Sequence, residues 1–149
     1  MMPDCIVCRT FPAQTAQLAS CFDFVHAGAN AAKLDGEDIN KLDLVLEELF
    51  TNLARYAYEQ PDSGDVEVAY KVEAPGRMLV QISDSGRDFN PLASDPPDFS
   101  RGLADRPVGG LGIFLVKSIA ESISYERNAG RNTISFRFCG SGRHVNDSP

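Results

Sequence analysis

Residues 44–58 read LVLEELFTNLARYAY. Leu46, Leu49, Leu53 and Ala57 recur every three or four residues, and Leu42 carries the series one turn back. That spacing lays one apolar stripe along a helix. Upstream, Asp35-Gly36-Glu37-Asp38 is a helix-start signal: Asp35 can cap, and acids fill the first turn, where the dipole favours them. The helix is expected to run to about Tyr58 and to stop before the turn Pro61-Asp62-Ser63-Gly64. Glu48 and Asn52 are four apart and sit one above the other at the edge of the stripe, whereas Glu47 falls on the far flank and faces elsewhere.

Outward from this helix the chain alternates between the two periods. Residues 5–11 read as a strand; Pro12 then opens an alanine-rich helix to about Lys33, with Leu18, Phe22 and Val25 on helical spacing and Gly28 weakening its second half. Residues 65–73 and 78–83 form a hairpin across residues 74–77. Residues 84–110, rich in Gly, Pro, Asp and Ser, read as a long loop, and loops of that length inside a domain are usually functional. A helix follows Gly109-Gly110-Leu111-Gly112, and its apolar stripe, with Phe114 near the start, reads as core. Residues 123–128 and 132–138 make a second hairpin, and the tail from Gly140 is polar. Paired strands outnumber βαβ units. The expected fold class is α+β, a two-layer α/β sandwich: one mixed, mostly antiparallel sheet with helices on one face. Residues 1–140 form the domain, and 141–149 a disordered tail.

The chain has 149 residues, 43% apolar and 23% charged, which fits one soluble globular domain. A net charge of −7 without a basic run argues against direct nucleic-acid or anionic-membrane partners. No signal-peptide pattern opens the chain and no apolar run spans a bilayer, so a cytoplasmic protein is expected. Of the four cysteines, Cys5 and Cys8 form a lone CxxC. In a strand, residues three apart point to opposite faces, and no second ligand pair follows, so reduced structural thiols are the better reading than zinc. His26 reads as a packed or surface histidine.

Three stretches carry chemistry. A carboxylate and an amide stacked beside the core suit a pocket wall: Glu48 can accept a proton, and the amide oxygen of Asn52 can ligate a hard cation such as magnesium. Alone, the pair reads better as an ordinary helix-surface hydrogen bond. Asp84-Ser85-Gly86 ends an apolar strand, where Asp84 can present its carboxylate into a cleft and Gly86 can let a flat ligand approach; it is also ordinary Asx-turn chemistry. Gly109-Gly110-Leu111-Gly112 opens a helix whose N–H groups and dipole favour phosphate. It is neither a P-loop nor a Rossmann fingerprint.

Together, in this order, LVLEELFTNLARYAY (44–58), ISDSGRDFNP (82–91) and GGLGIFLVKSIAESISYERNAGRNTISFRF (109–138) resemble the GHKL, or histidine kinase-like, ATPase superfamily. Within it the chain looks most like the anti-sigma factor serine/threonine kinases, over about residues 5–138. The resemblance implies ATP and Mg2+ as cofactors. It makes Glu48 the general base, Asn52 the magnesium ligand and Asp84 the acceptor of the adenine amino group. Gly86 would lie beside the base, Gly110 and Gly112 at the phosphates, and Gly109 at the hinge of an ATP lid formed by residues 89–108. Thr133 would be the late-strand hydroxyl near adenine. Asp88 departs from the family by standing where a second glycine is common, and Tyr56 where a histidine is frequent. Phe89-Asn90-Pro91 fits the anti-sigma branch.

The implied partners are an anti-anti-sigma protein of the STAS type as phosphoryl acceptor, a sigma factor that is sequestered, and a second copy in a homodimer. A non-catalytic regulatory module, with ATP as a structural ligand or with none, stays open as the alternative. A histidine kinase would need a phospho-accepting helix pair, for which His26 lacks the flanking acid and proline. A topoisomerase-like ATPase would need a transducer domain.

Overall fold

The computed structural model describes residues 6–59, 64–93 and 110–140. Their order is β1 (Val7–Pro12), a 3-10 turn (Thr15–Gln17), α1 (Leu18–Ala31), α2 (Gly36–Tyr56), β2 (Asp65–Ala74), β3 (Arg77–Asp84), a 3-10 turn (Pro91–Ala93), α3 (Gly110–Ile119), β4 (Ser122–Asn128) and β5 (Arg131–Cys139). The expected sequence of elements is therefore present. The tail from residue 141 lies outside the described residues, as do Cys5, Gly109 and most of the stretch expected to form the lid.

The strands form one five-stranded sheet in the order β1-β2-β3-β5-β4. Every pairing is antiparallel, so the α+β class stands while the described sheet has no parallel component. The physical reason is that β2–β3 and β4–β5 are hairpins, and β5 returns beside β3 in the opposite sense.

Register decides which side chains share a face. Val66 pairs with Asp84, Val68 with Ile82, Ile82 with Ile134 and Asp84 with Asn132. With a side-chain period of two, Met78, Val80, Ile82 and Asp84 share one face with Asn132, Ile134, Phe136 and Phe138. The apolar members of this row join Leu42, Leu46, Leu49 and Leu53 of α2 and Val25 of α1 in one core. The other face is polar: Gln81 donates to Ser135 at 3.1 Å, and Arg137 grips both Glu73 oxygens at 3.0 and 3.2 Å. The sheet thus buries one side under helices, the two-layer arrangement.

The helices follow their signals. Asp35 caps α2 by accepting from the Asp38 N–H at 2.9 Å, and Asp38 is itself buried. Gly28, expected to weaken α1, has a packing role instead: a Cβ there would lie 2.6 Å from the Tyr70 ring and 2.7 Å from the Met78 methyl, so the missing side chain lets α1 settle on the sheet. In α3, Ile113 and Val116 are buried as expected, but Phe114 and Leu115 are 44% and 45% exposed. They sit on the outward side of a helix that is apolar nearly all round, so the core reading is corrected for these two residues.

Cys8 is an exposed free thiol. Cys21 is buried, and burial, followed by the charge of Asp43, pushes its thiol up to about 12, which makes it unreactive. Among the described residues no cluster of His, Cys, Asp and Glu is placed to hold a metal ion. His26 is half-buried, and its Nε2 is hydrogen-bonded with Asp43 Oδ1 at 2.7 Å. No helix of the described residues is long and apolar enough to cross a membrane.

Candidate functional site

The residues singled out from the sequence gather at two corners. The first lies where α2 meets α3. Asn52, 6% exposed, donates Nδ2 to Glu48 Oε2 at 2.7 Å, the hydrogen bond that their four-residue spacing allows. Gly112, in the first turn of α3, abuts the same carboxylate: any Cβ at this position would fall on it. α3 starts at Gly110, so Gly110 and Gly112 belong to the helix's first turn itself. A cavity of about 300 Å³ opens beside this corner, lined by Glu48, Thr51, Arg55, Gly112 and Leu115. Glu47 lines it too, which corrects the expectation that Glu47 faces elsewhere; the cavity wraps round the α2 flank.

The second corner is the end of β3. Asp84, 5% exposed, accepts from the Gly86 N–H at 2.8 Å and from Asn132 Nδ2 at 2.9 Å, both at Oδ1. The first contact is an Asx turn, so the turn and the pocket-wall readings of Asp84 are both structurally available. Gly86 is required by something other than a ligand: a Cβ there would run into the carbonyl of Ala57 at the end of α2. Arg87 then donates its N–H to Ala57 O at 2.8 Å and its Nε to Tyr56 O at 2.7 Å. These bonds tie the second corner to the helix that carries the first. Asn52 lies five residues before Ala57, about 7.5 Å along the axis at the α-helical rise.

Tyr56, at the position where a histidine is frequent, packs its ring on Phe89 with centroids 6.0 Å apart. Asn90 next caps the 3-10 turn by accepting from the Leu92 N–H at 2.9 Å, and Lys117 of α3 donates to Leu92 O at 3.0 Å. The Phe-Asn-Pro segment is thereby clamped between α2 and α3.

The histidine kinase-like ATPase domain family matches residues 11–138, most of the chain. The chain belongs to this family. Among its relatives are proteins named serine-protein kinase RsbW from Bacillus cereus and Bacillus anthracis, each 25% identical over 114 residues, covering 74% of this chain and 70% of the relative. Two solved structures share the fold. The blue-light activated histidine kinase of Erythrobacter litoralis superposes with a TM-score of 0.57 at 18% identity, over 87% of this chain and 42% of that one. Its histidine kinase domain superposes with a TM-score of 0.54 at 16% identity, over 91% of this chain and 64% of that one.

Within this histidine kinase-like ATPase domain, Thr133 does not join the second corner. It pairs with Ser83 on the polar face of the sheet, the hydroxyls 3.1 Å apart, and strand alternation puts it opposite Asp84. The residue that shares the face of Asp84 is Asn132, 2% exposed. The signal that could have found it is in the sequence: Asn132 is in phase with the apolar Ile134, Phe136 and Phe138, whereas Thr133 is in phase with Ser135 and Arg137. Tyr125 and Arg127 of β4 were also missed, and both bond to Asn132. Gly109 lies outside the described residues.

Proposed function

We propose that this domain binds ATP with magnesium and transfers the terminal phosphoryl group to a serine or threonine of a partner protein. The observation that carries the reading is the Glu48 carboxylate, oriented by Asn52 and seated on Gly112 at the start of α3.

The residues fit the cofactors chemically. Asn52 commits its Nδ2 to Glu48, which leaves its amide oxygen, a hard ligand of the kind magnesium takes. The first N–H groups of α3 suit phosphate oxygens. Asp84 commits Oδ1 to two N–H groups and keeps Oδ2 as an acceptor for the exocyclic amino group of adenine. Bound ATP and magnesium would supply a transferable phosphoryl group with much of its charge offset. Phosphoryl transfer then asks the protein mainly for positioning. Asn52 holds Oε2 of Glu48, and Oε1 takes the proton of the incoming hydroxyl.

The relatives named serine-protein kinase support a hydroxyl acceptor over a histidine. On the resemblance to anti-sigma kinases, the acceptor is a STAS-type anti-anti-sigma protein. The domain also sequesters a sigma factor, works as a homodimer and resides in the cytoplasm. The test is incubation with labelled ATP and a STAS-domain acceptor. Glu48→Gln keeps the side-chain shape and is expected to cut phosphotransfer by about 10²–10⁴-fold, the usual worth of a general base, while sparing ATP binding. An unchanged rate in that variant removes Glu48 from the mechanism. ATP binding by the wild type with no label on any acceptor favours the non-catalytic module.

A further inference from the structure

Asn132 is buried at 2% exposure, and its amide makes a full set of hydrogen bonds. Nδ2 donates to Asp84 Oδ1 at 2.9 Å and to the Arg87 carbonyl at 2.7 Å. Oδ1 accepts from the Tyr125 hydroxyl at 2.6 Å and from Arg127 NH1 at 2.9 Å. An asparagine amide has two donors and two acceptor sites, so nothing is left over. Both partners of the nitrogen are acceptors and both partners of the oxygen donate to it, so a flipped amide would mismatch the Asp84, Arg87 and Arg127 contacts; only the Tyr125 hydroxyl could accept instead.

The supports are themselves anchored. Arg127 NH1 also donates to the Gly86 carbonyl at 3.0 Å, which uses its second proton. The single hydroxyl proton of Tyr125 is shared between Asn132 and, at 3.1 Å, Asp88 Oδ1. Partial burial, then the Asp88 bond and charge, raise the proton affinity of that hydroxyl, so it remains a donor. Asp88, at the position where a second glycine is common, thus has a defined partner. On the other side, Asp84 Oδ1 is saturated, and among the described residues Oδ2 has no hydrogen-bond partner.

We propose that Asn132 is a positioning residue for base recognition: it fixes the Asp84 carboxylate in one orientation, with Oδ2 alone presented to the purine, and Tyr125 and Arg127 lock its amide. This rests on the nucleotide-binding reading above. Asn132 has no hydrogen bond to offer the base itself. Discrimination between an exocyclic amine, as in adenine, and a carbonyl, as at the same position of guanine, then falls to Asp84, and it is only as sharp as Asp84 is still. A carboxylate free to rotate could avoid the carbonyl or turn to another donor.

The experiment is titration of the full chain with a fluorescent ATP analogue and magnesium, competed with GTP, at pH values from 5.5 to 8. Thermal melts accompany each variant, and each affinity is taken relative to wild type at the same pH. Asp84→Asn is the control for the site and should weaken binding at least about ten-fold, the worth of one charge-assisted hydrogen bond. Asn132→Asp places a second carboxylate beside Asp84, and the pair then holds a shared proton more tightly than either alone. Asp88 strengthens that hold, while Arg127 and Arg87 oppose it. At low pH the shared proton restores a donor to Asp84; at high pH both groups ionise and repel. Relative affinity should therefore fall about ten-fold or more at pH 8 and recover as the pH is lowered. Asn132→Leu should narrow the preference for ATP over GTP at every pH with no recovery. Thr133→Val, on the opposite face, should stay within about two-fold of wild type.

Wild-type affinity in Asn132→Asp at pH 8, or a loss that does not change with pH, overturns the positioning role while leaving the nucleotide site intact. If Asn132→Leu does not fold, the pH recovery of Asn132→Asp decides alone. A wild-type chain that binds no ATP analogue overturns the nucleotide reading and this inference with it.

Discussion

At the Glu48 corner a half-buried carboxylate is held by one amide from its own helix, and a glycine of the neighbouring helix keeps its seat open. At the Asp84 corner the carboxylate is buried and held from one strand and a turn, and the strand partner is itself held from a further strand. The first corner is soft: what abuts Gly112 is the far end of a glutamate side chain. The second is rigid: what abuts Gly86 is the backbone carbonyl of Ala57. The difference fits the tasks proposed for them. A group that exchanges a proton needs some freedom to meet its acceptor, whereas a group that reads a base gains from having none.

The sharpest way to break this comparison is to add the same methyl group at each glycine. Gly112→Ala should give the largest functional effect. Its Cβ displaces the Glu48 carboxylate, which can swing away cheaply, so phosphotransfer should fall toward the Glu48→Gln level, about 10²–10⁴-fold. Stability should hold or rise, because alanine is favoured over glycine inside a helix by about 1 kcal/mol. A melt within a few degrees of wild type, together with lost transfer to the acceptor protein, is the expected pair of results. Wild-type transfer in a folded Gly112→Ala chain would mean that Glu48 needs no fixed seat.

The same contrast explains what could be read in the sequence. Glu48 and Asn52 lie on one helix, where a four-residue spacing fixes their proximity before any tertiary structure is known. The Asp35 cap and the α2 stripe were legible for the same reason, as were both hairpins. The partners of Asp84 are non-local. Asn132 reaches it across forty-eight positions of chain, through the β3–β5 register, and a one-residue shift in the late strand moves the choice to Thr133 and the opposite face of the sheet. Tyr125 and Arg127 needed the β4–β5 register as well. Gly86 was legible as a glycine that lets a flat ligand approach, but not as a contact with Ala57, because a helix end and a strand end meet there only in the folded chain.

Gly86→Ala tests the rigid corner and should give an intermediate effect. Neither the Ala57 carbonyl nor the turn can yield without losing the Arg87 to Ala57 hydrogen bond of 2.8 Å. Overpacking of this kind costs about 1–3 kcal/mol, which for a chain of this size lowers the melting temperature by about 3–10 °C. ATP affinity should fall in parallel, since Asp84 Oδ1 accepts from the Gly86 N–H. A stable Gly86→Ala chain with weakened ATP binding would instead place the glycine's role at the ligand, as the sequence first suggested, and would make the two corners equally soft.

The smallest effect is expected from Ser83→Ala, one residue before Asp84 but on the other face of the sheet. The variant removes the 3.1 Å hydroxyl contact with Thr133. Thr133 is only half-buried and can turn its hydroxyl to water, so the cost should sit near the low end for a hydrogen bond, about 0.5 kcal/mol. A urea melt reads that cost, and ATP affinity should stay within about two-fold of wild type. The value of the variant lies in its position. Ser83 and Asp84 are adjacent in the chain, and only the pleat separates them. A large loss of nucleotide affinity in Ser83→Ala would therefore move the base to the polar face, beside Ser83 and Thr133, and would strip Asn132 of its part in reading it.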